Sequence, residues 1–379
     1  MEQERLYYID WLRVLAVLLL FPFHAGRVFN VEAFYVKGPE LSPVVNRLLG
    51  FVDLWHMPLL FVLAGASTYL ALGRRSRGEY TRERVKRLLV PLVFGILVLV
   101  PPQTWYGARF NSGYQWSYLR YLTSDGLFHI DFQEGGDYFG GLGFAHLWFI
   151  LFLLLISLTA LPLWAAGRRE GSRLVGFSRF LAHPATWPVA GLAIFLGGAL
   201  PSPGDKNIFY FLVFFALGYL ALCSGEFTAA ARRWTWPAVT VGAAGAVWWT
   251  ATSIWRNGLA DPSAALVGVD LAGSTLCWVF IVGLLGLGSR LLNTPSAALA
   301  YLSEGSYAVY LLHQTVIVVL AFYIVGLDLS WPVQWLILLV AAVAGTFLVY
   351  EGLRRVAWLR FLFGMRPLRR RPTPSVVGR

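Results

Sequence analysis

Two side chains on the first apolar segment, residues 7–29, are of types that could do chemistry inside a membrane. Arg13 and His24 stand eleven positions apart. At about 100° per residue this amounts to three turns plus about 20°, so both lie on one helix face, roughly 16 Å apart along the axis. A guanidinium binds anionic groups, and an imidazole exchanges protons near neutral pH. The pair therefore predicts that an anionic donor substrate binds at one level of the helix and that a proton is transferred at another.

Asp10 and Arg27 extend this polar face at both ends. Ionisable side chains within a membrane span are unfavourable in lipid and almost always face protein or a water-filled cavity. Asp10 is spaced to pair with Arg13 and to fix its rotamer. We therefore expect the face to line an interior path across the membrane.

The composition excludes a soluble domain. Hydrophobic residues make up 57% and charged residues 13% of the 379 residues, the mean hydropathy is +0.61, and apolar runs of about 20 residues recur throughout. This predicts an all-α polytopic membrane helix bundle, with one transmembrane domain over residues 1–365 and a basic, disordered cytoplasmic tail over 366–379. About ten transmembrane helices are expected, near residues 8–29, 48–72, 87–104, 146–166, 185–201, 207–223, 235–255, 266–289, 297–325 and 331–353.

The distribution of basic residues predicts the orientation of the bundle. With the N-terminus inside, 23 of the 31 Lys and Arg residues fall on the cytoplasmic side, six fall outside and two lie in the first span. Such an asymmetry places both termini in the cytoplasm. The net charge of +11 then reflects topology and attraction to anionic lipid headgroups, and it does not indicate a nucleic-acid partner.

Four of the six histidines converge on the outer half of the membrane when their depth is counted along the spans. They are His24, His56, His146 and His313. Buried histidines can simply bond neighbouring helices, and that interpretation stays open for each one alone. Convergence together with the polar face of the first span favours a functional role for His24. Tyr310 lies on the same helix face as His313.

The cytoplasmic loop 73–91 is strongly basic and ends at Arg84-Val-Lys-Arg87. Arg84 and Arg87 are spaced i,i+3 and are expected to share a helix face, where two guanidinium groups suit phosphate oxygens. A short cytoplasmic loop is also expected to be basic for topological reasons alone. Both interpretations remain open on spacing.

The outer segment 102–145 is long for a membrane-protein loop and rich in aromatic residues. It also carries polar and acidic residues, namely His129, Asp131, Glu134 and Asp137. Aromatic faces with acidic hydrogen-bond acceptors suit a sugar, although interfacial Trp and Tyr are common anyway. Loops of this length are often functional.

Several common kinds of site are not indicated. Cys223 and Cys277 both fall in apolar spans, so neither a disulfide framework nor a metal site is expected. The sequence GGLG at 140–143 matches neither a P-loop nor a dinucleotide fingerprint.

Four landmarks together resemble the acyltransferase-3 family of bacterial membrane acyltransferases, and most closely its branch of periplasmic glucan succinyltransferases. The landmarks cover most of residues 7–320: Arg13 with His24, Arg84-x-x-Arg87 before Pro91, Leu147-Trp148-Phe149, and Ser306-Tyr307 followed by Tyr310-Leu311 and His313. Ten spans are usual for this family. Where many members have a Ser-Gly pair on the second span, this sequence reads Ala64-Gly65-Ala66-Ser67, so no role is assigned to Ser67.

The resemblance implies O-acylation of an exported or cell-surface acceptor, often a carbohydrate, at the bacterial cytoplasmic (inner) membrane. Acyl-CoA, as acetyl-CoA or succinyl-CoA, would be the co-substrate, with no permanently bound cofactor. Arg84 and Arg87 would hold its phosphates, Arg13 paired with Asp10 would guide it, and His24 would act as general base. The expected substrate contacts are His56, His146, Trp148, Tyr310 and His313.

A proton-coupled transporter or flippase of a polar small molecule or glycan is the alternative. Intramembrane His, Arg and Asp residues would then form a proton or substrate pathway. No inverted repeat is detectable in the sequence, which weighs against this alternative.

Overall fold

A computed structural model describes residues 6–123, 127, 136–166, 172–202, 206–252, 258 and 263–367, and among these it contains helices and no β-strand. The all-α prediction is confirmed for this part of the chain. The first nine helices are α1 (Tyr7–Arg27), α2 (Pro43–Asp53), α3 (His56–Leu72), α4 (Arg77–Arg84), α5 (Val90–Phe94), α6 (Val100–Asn111), α7 (Tyr118–Leu122), α8 (Trp148–Thr159) and α9 (Leu161–Ala166). The remaining nine α-helices within the described residues are α10 (Arg173–Leu181), α11 (Trp187–Gly198), α12 (Ile208–Ala221), α13 (Gly225–Arg233), α14 (Thr235–Ala251), α15 (Ala264–Leu291), α16 (Ala297–Ile324), α17 (Trp331–Leu353) and α18 (Ala357–Leu362).

Within the described residues, six helical segments are long and apolar enough to cross a membrane, or up to eight if each of two bent pairs counts as one span. This agrees with a polytopic membrane helix bundle. Each of the ten predicted segments overlaps one or more helices among the described residues. The count of ten and the cytoplasmic location of both termini stay predictions, and residues 368–379 of the predicted tail lie outside the described part.

Helix α1 packs against α16, α15, α3 and α17. Its buried positions, among them Leu12, Ala16 and Leu20, recur at helical spacing. Between helices in lipid the driving forces are close packing and interhelical hydrogen bonds. One such bond joins α3 to α1, because Nε2 of His56 donates to the carbonyl oxygen of Ala16 at 2.7 Å.

The third span is one continuous helical segment from Arg77 to Asn111. It begins with a capping box, in which the Ser76 hydroxyl accepts from the amide of Glu79 and the Glu79 carboxylate accepts from the amide of Ser76. Two π-helical turns, Val85–Leu89 and Gly95–Leu99, interrupt its α-helical geometry. Each π turn holds one residue more than an α turn, so it rotates the rest of the span relative to a regular α-helix.

The second π turn coincides with a buried polar link to α16. The carbonyl oxygen of Leu99 accepts from Nε2 of Gln103 at 3.0 Å and from the hydroxyl of Thr315 at 2.9 Å. Nε2 of Gln314 donates to Oε1 of Gln103 at 3.0 Å, and both glutamines are buried. These bonds fix the rotation of α16 relative to the third span. Gln314, which makes one of them, directly follows His313 in the sequence.

Two short helices lie nearly perpendicular to the apolar helices next to them. Helix α10 meets the segment Pro184–Gly198 at 102°, and α13 meets α12 at 99°. The two short helices touch through the hydroxyls of Ser178 and Ser224, 2.8 Å apart. Both carry arginines, α10 exposes Phe177 and Phe180, and the exposed Trp234 directly follows α13. This pattern is typical of helices that lie in the plane of the membrane interface.

Helices α3 and α12 approach each other so closely that only glycine fits at the contact. A Cβ atom at Gly65 would lie 1.9 Å from the carbonyl oxygen of Phe215, and one at Gly218 would lie 1.9 Å from that of Val62. Small residues of this kind let helix backbones meet inside membranes. This contact fixes the position of α3, whose side chains form hydrogen bonds with α1.

We expect Gly218→Ala to push α3 and α12 apart and to lower the free energy of unfolding by about 1–3 kcal/mol or more, because the added methyl meets rigid backbone. Gly268→Ala on α15 is the matched control, since nothing lies within 4 Å of a Cβ there. Thermal unfolding in detergent measures both variants. Equal midpoints for the two would contradict the prediction.

Candidate active site

The N-terminal end of the polar face on α1, which the predicted topology places on the cytoplasmic side and which we call the inner end, is organised around Arg13. Its Nη1 donates to Oδ1 of Asp10 at 3.2 Å, and its Nη2 donates to the hydroxyl of Ser67 on α3 at 2.6 Å. The Ser67 hydroxyl in turn donates to the carbonyl oxygen of Leu63 at 2.7 Å. The guanidinium is therefore oriented by one partner on its own helix and one on the next.

Arg84 lies beside this arrangement, within electrostatic range of Arg13. Its Nη2 donates to the hydroxyl of Thr68 at 3.0 Å, and its guanidinium stands over the Tyr80 ring at 4.8 Å. Thr68 and Tyr80 are buried and hydrogen-bonded to each other at 3.0 Å. Adjacent residues on α3, Ser67 and Thr68, thus hold two guanidinium groups at the same level.

Arg87 turns to a different partner from Arg84. Its Nε pairs with Glu83 at 3.2 Å, and the other carboxylate oxygen of Glu83 pairs with Arg75 at 3.0 Å. A π turn begins at Val85, between the two arginines, and each is held by a different partner. Their common face stays a prediction.

At the C-terminal end of α1, which the predicted topology places on the outer side and which we call the outer end, three imidazoles lie in a row. The ring centroids of His24 and His313 are 5.1 Å apart, and those of His313 and His146 are also 5.1 Å apart. The fourth, His56, lies behind Phe23, whose ring is 6.2 Å from that of His56 and 5.2 Å from that of His24. The histidines predicted to share one level are therefore near neighbours.

Backbone carbonyls determine which nitrogen carries a hydrogen in two of the three imidazoles of the row. Nδ1 of His313 donates to the carbonyl of Tyr310 at 2.6 Å, and Nε2 of His146 donates to that of Leu311 at 3.1 Å. In the neutral rings, Nε2 of His313 and Nδ1 of His146 are then lone-pair acceptors. Both atoms, and Nδ1 of His24, are buried without a hydrogen-bond partner in the described part of the chain. Buried acceptors of this kind are suited to a hydroxyl ligand.

The third member of the row is held by strained backbone. Ala145, immediately before His146, has a φ of 45°, which is uncommon for a residue with a side chain. The hydroxyl of Tyr310 donates to the carbonyl oxygen of His146 and fixes this turn against α16. Tyr310 also lies against Phe149, with ring centroids 5.6 Å apart.

Trp148 is placed differently from the other predicted substrate contacts. Its ring packs against Phe211 at 5.1 Å and Phe61 at 6.4 Å, and Nζ of Lys206 lies 5.6 Å from its centre. The neighbouring Phe149, rather than Trp148, faces Tyr310. At the start of α8, consecutive residues point to different sides.

An outer cap covers His24. The Phe34 ring stacks on the His24 ring, with centroids 6.2 Å apart and planes 20° apart. The side-chain amide of Asn111 donates to the carbonyl oxygens of Phe34, Tyr35 and Tyr138, at 3.4, 3.1 and 2.9 Å. Tyr138 belongs to the predicted aromatic outer segment, whereas His129, Asp131 and Glu134 of that segment lie outside the described residues.

Lys37 ties the same cap to the end of α1. Its Nζ donates to the carbonyl oxygens of Arg27, Asn30 and Glu32, at 2.6, 2.5 and 2.9 Å. Arg27 pairs with Glu32 in this loop. The outer end of the polar face is therefore closed by the loop after α1.

The site residues are not arranged as a metal centre. Among the described residues, no group of three or more His, Cys, Asp or Glu side chains could hold a metal ion. The imidazole row offers hydrogen-bond acceptors instead.

Comparison with known sequences now decides the family. The profile of the acyltransferase-3 family, described as an acyltransferase domain, matches residues 6–351. The chain belongs to this family. Family membership and the apolar helices together make it an integral membrane acyltransferase.

Relatives within the acyltransferase-3 family align over almost the full chain. The glucans biosynthesis protein C of Salmonella typhimurium is 24% identical over 395 residues, covering 99% of this chain and 98% of that protein. The proteins of the same name from Salmonella agona and Salmonella enteritidis give the same identity and coverage. No solved structure matches the chain.

Some residues of the site were not anticipated from the sequence. Ser67 and Thr68 are the partners of Arg13 and Arg84, and the only available signal was the small-residue run that starts at Ala64. Phe34 and Asn111 form the cap over His24, and nothing in their local sequence marks them. Such contacts depend on how helices and loops from distant parts of the chain are rotated toward each other.

We expect Lys37 to titrate near pH 8, because burial and the nearby Arg27 guanidinium lower its pKa from 10.5 to about 8. Below pH 8 the lysine is protonated in both folded and unfolded chains, so it adds no pH dependence to stability. Between pH 8 and 10.5 the folded chain releases the proton first, so stability rises with pH. Pulsed labelling with an amine-specific reagent, read by mass spectrometry, should show a midpoint near pH 8. A midpoint near 10.5 would contradict the prediction.

Proposed function

We propose that the protein is an O-acyltransferase that moves an acyl group from cytoplasmic acyl-CoA to a hydroxyl of an exported or cell-surface carbohydrate. The observation that carries the proposal is the division of α1 into two polar levels. Arg13 and Arg84 lie within electrostatic range of each other at the inner level, and His24 begins a row of three imidazoles at the outer level. A donor and an acceptor that approach from opposite sides of the bacterial inner membrane could meet between them.

The inner level suits the phosphate groups of CoA. Guanidinium groups bind phosphate through charge-assisted, often bidentate hydrogen bonds. Arg84 is held by Thr68, and Arg87 lies three residues further on. Arg13, oriented by Asp10 and Ser67, lies beside Arg84, where it would guide the acyl-pantetheine arm.

The outer level suits the transfer step. His24 would accept the proton of the acceptor hydroxyl as its oxygen attacks the thioester carbonyl carbon. The new C–O bond forms, the C–S bond breaks, and the proton passes from His24 to the sulfur, which leaves as the CoA thiol. Atoms and charge balance, and the only cofactor needed is the acyl-CoA co-substrate.

His313 would orient His24 during this step. Its Nδ1 hydrogen is committed to the carbonyl of Tyr310, so its Nε2 can accept a hydrogen bond from Nδ1 of His24. The two rings are 5.1 Å apart, and a rotation of the His24 ring would close that bond. Catalytic hydrogen bonds are often long before substrate binds. Nε2 of His24 is then left for the acceptor hydroxyl.

A carbohydrate acceptor is supported by the outer cap and by the relatives. Phe34, Tyr35 and Tyr138 form an aromatic group beside His24. Flat aromatic surfaces stack on the C–H faces of sugars, while buried imidazole acceptors such as Nδ1 of His146 can bind their hydroxyls. The name of the Salmonella relatives, glucans biosynthesis protein C, points to a glucan or a similar carbohydrate.

We expect His24→Ala to lower the transfer rate by about 100-fold or more, because a general base contributes that much or more, while folding and insertion stay intact. The measurement is CoA thiol release by purified protein with acyl-CoA and a panel of sugar acceptors. His183→Ala is the matched control, since His183 is exposed and lies far along the chain from the imidazole row. In the same assay His313→Gln should lower kcat and leave the KM for acyl-CoA unchanged. Near-normal transfer by His24→Ala would contradict the assignment, and movement of a sugar without thiol release would support a transporter.

We expect Arg84→Ala to raise the KM for acyl-CoA about tenfold or more, because a charge-assisted bond to phosphate is lost. The exposed Arg82, on the same short helix, gives the control Arg82→Ala. Steady-state kinetics with each substrate varied in turn separates the two affinities. A change in the acceptor KM alone would show that Arg84 does not bind the donor.

A further inference from the structure

A short segment after the last long helix packs back onto the inner level of the bundle. After α17 the chain turns, forms α18 and ends its described part in a tight turn. We call residues 356–367 the strap. Phe363 and Met365 of the strap are 2% and 8% exposed, and the Phe363 ring lies 5.3 Å from that of Phe94. The strap is therefore docked on the third span.

Arg360 anchors the strap with its whole guanidinium group. Nη2 donates to Oε1 of Glu304 on α16 at 2.6 Å, Nη1 donates to the carbonyl of Arg354 at 3.0 Å, and Nε donates to the carbonyl of Arg366 at 2.7 Å. Arg360 is only 4% exposed. A buried cation with satisfied donors and a carboxylate partner fixes geometry, and its loss is strongly destabilising. The backbone of Arg366 is thereby held at a set position relative to α16.

The strap touches the turn that carries Arg87. Gly364 has a φ of 64°, a conformation that favours glycine. A Cβ atom there would lie 3.0 Å from the carbonyl oxygen of Arg87 and 2.7 Å from the Tyr307 ring. The Tyr307 hydroxyl is buried without a partner among the described residues and lies within electrostatic range of Arg84. Gly364 thus joins the strap directly to the inner level.

This contact brings a further cation to the inner level. The Arg366 side chain is exposed and within electrostatic range of Arg87, as are those of Arg75 and Arg84. Glu83 pairs with Arg75 and with Arg87 and offsets part of this charge. Like charges held this close repel each other, so the arrangement favours an anion with several charges placed among them.

We propose that the strap completes the donor site, in which Arg366 binds a phosphate oxygen of the acyl donor together with Arg84 and Arg87. Arg360 and Gly364 are positioning residues that keep Arg366 in place. The inference rests on the proposed function, since it takes the donor to be a phosphorylated thioester. It adds a binding residue that lies nearly 280 positions away from Arg87 in the sequence.

The test is CoA binding by the full chain, purified in neutral detergent without anionic lipid, for Arg366→Gln and Gly364→Ala. We expect the Kd for CoA to rise about tenfold in Arg366→Gln, as for loss of one charge-assisted hydrogen bond. Arg355→Gln is the matched control, because Arg355 is 77% exposed and lies just before the strap. In turnover, Gly364→Ala should raise the KM for acyl-CoA and leave kcat and the acceptor KM unchanged, a split that general destabilisation would not give.

A second arm separates the two sources of phosphate. The same variants are placed in nanodiscs with and without an anionic phospholipid, and bound lipid is counted by native mass spectrometry. If Arg366→Gln loses anionic lipid and keeps its Kd for CoA, the group serves lipid headgroups and the inference is wrong. Wild-type binding of CoA with unchanged Kd in both variants also overturns it and leaves the proposed function intact. If the wild-type protein binds no CoA, the proposed function itself fails.

Discussion

A guanidinium inside a helix bundle needs oxygen partners, because apolar side chains and lipid tails offer none. Arg13 obtains them from Asp10 on its own helix and from Ser67 on α3. Satisfying this one group sets the rotation of α3 against α1. With that rotation fixed, the next residue, Thr68, faces Arg84. Much of the arrangement at the inner level follows from the hydrogen-bonding requirement of a single, partly buried cation.

The fixed rotation of α3 also determines how this helix contacts α1 at the outer level. His56 begins α3 and donates to the carbonyl of Ala16 on α1, so the two helices are bonded at both ends of their contact. Gly65 and Gly218 let α12 press against the other side of α3 with backbone touching backbone. A helix bonded on one side and closely packed on the other has little freedom to move. This rigidity suits a site whose two levels must stay in register.

The sequence anticipated the features that depend on one helix at a time. Apolar runs predicted the helices, and helical spacing placed Arg13 and His24 on one face. The same spacing predicted that Asp10 pairs with Arg13. Counting depth along the spans brought His24, His146 and His313 to one level. Partners that depend on the relative rotation of two helices were beyond such reasoning. Ser67 faces Arg13, and Glu304 faces Arg360 across 56 residues of sequence, only because of how the helices pack.

Local departures from regular α-helix were also beyond reasoning from the sequence. A π turn begins at Val85, between Arg84 and Arg87, and these two arginines have different partners. Trp148 and Phe149 sit where a strained turn passes into α8, and the structure directs Phe149 rather than Trp148 toward Tyr310. Irregular geometry of this kind is common near functional sites and is not visible in hydrophobic periodicity.

The two π turns of the third span have a consequence for how such a site can change in evolution. Each π turn contains one residue more than an α-helical turn. The helix on one side of it is therefore rotated by about 100° about its axis relative to a regular α-helix. A single inserted or deleted codon there would redirect Arg84 relative to Gln103 without altering either amino acid. Two chains with the same residue types could in this way bind different acyl donors. Their alignment would then differ at this point only by a gap of one position.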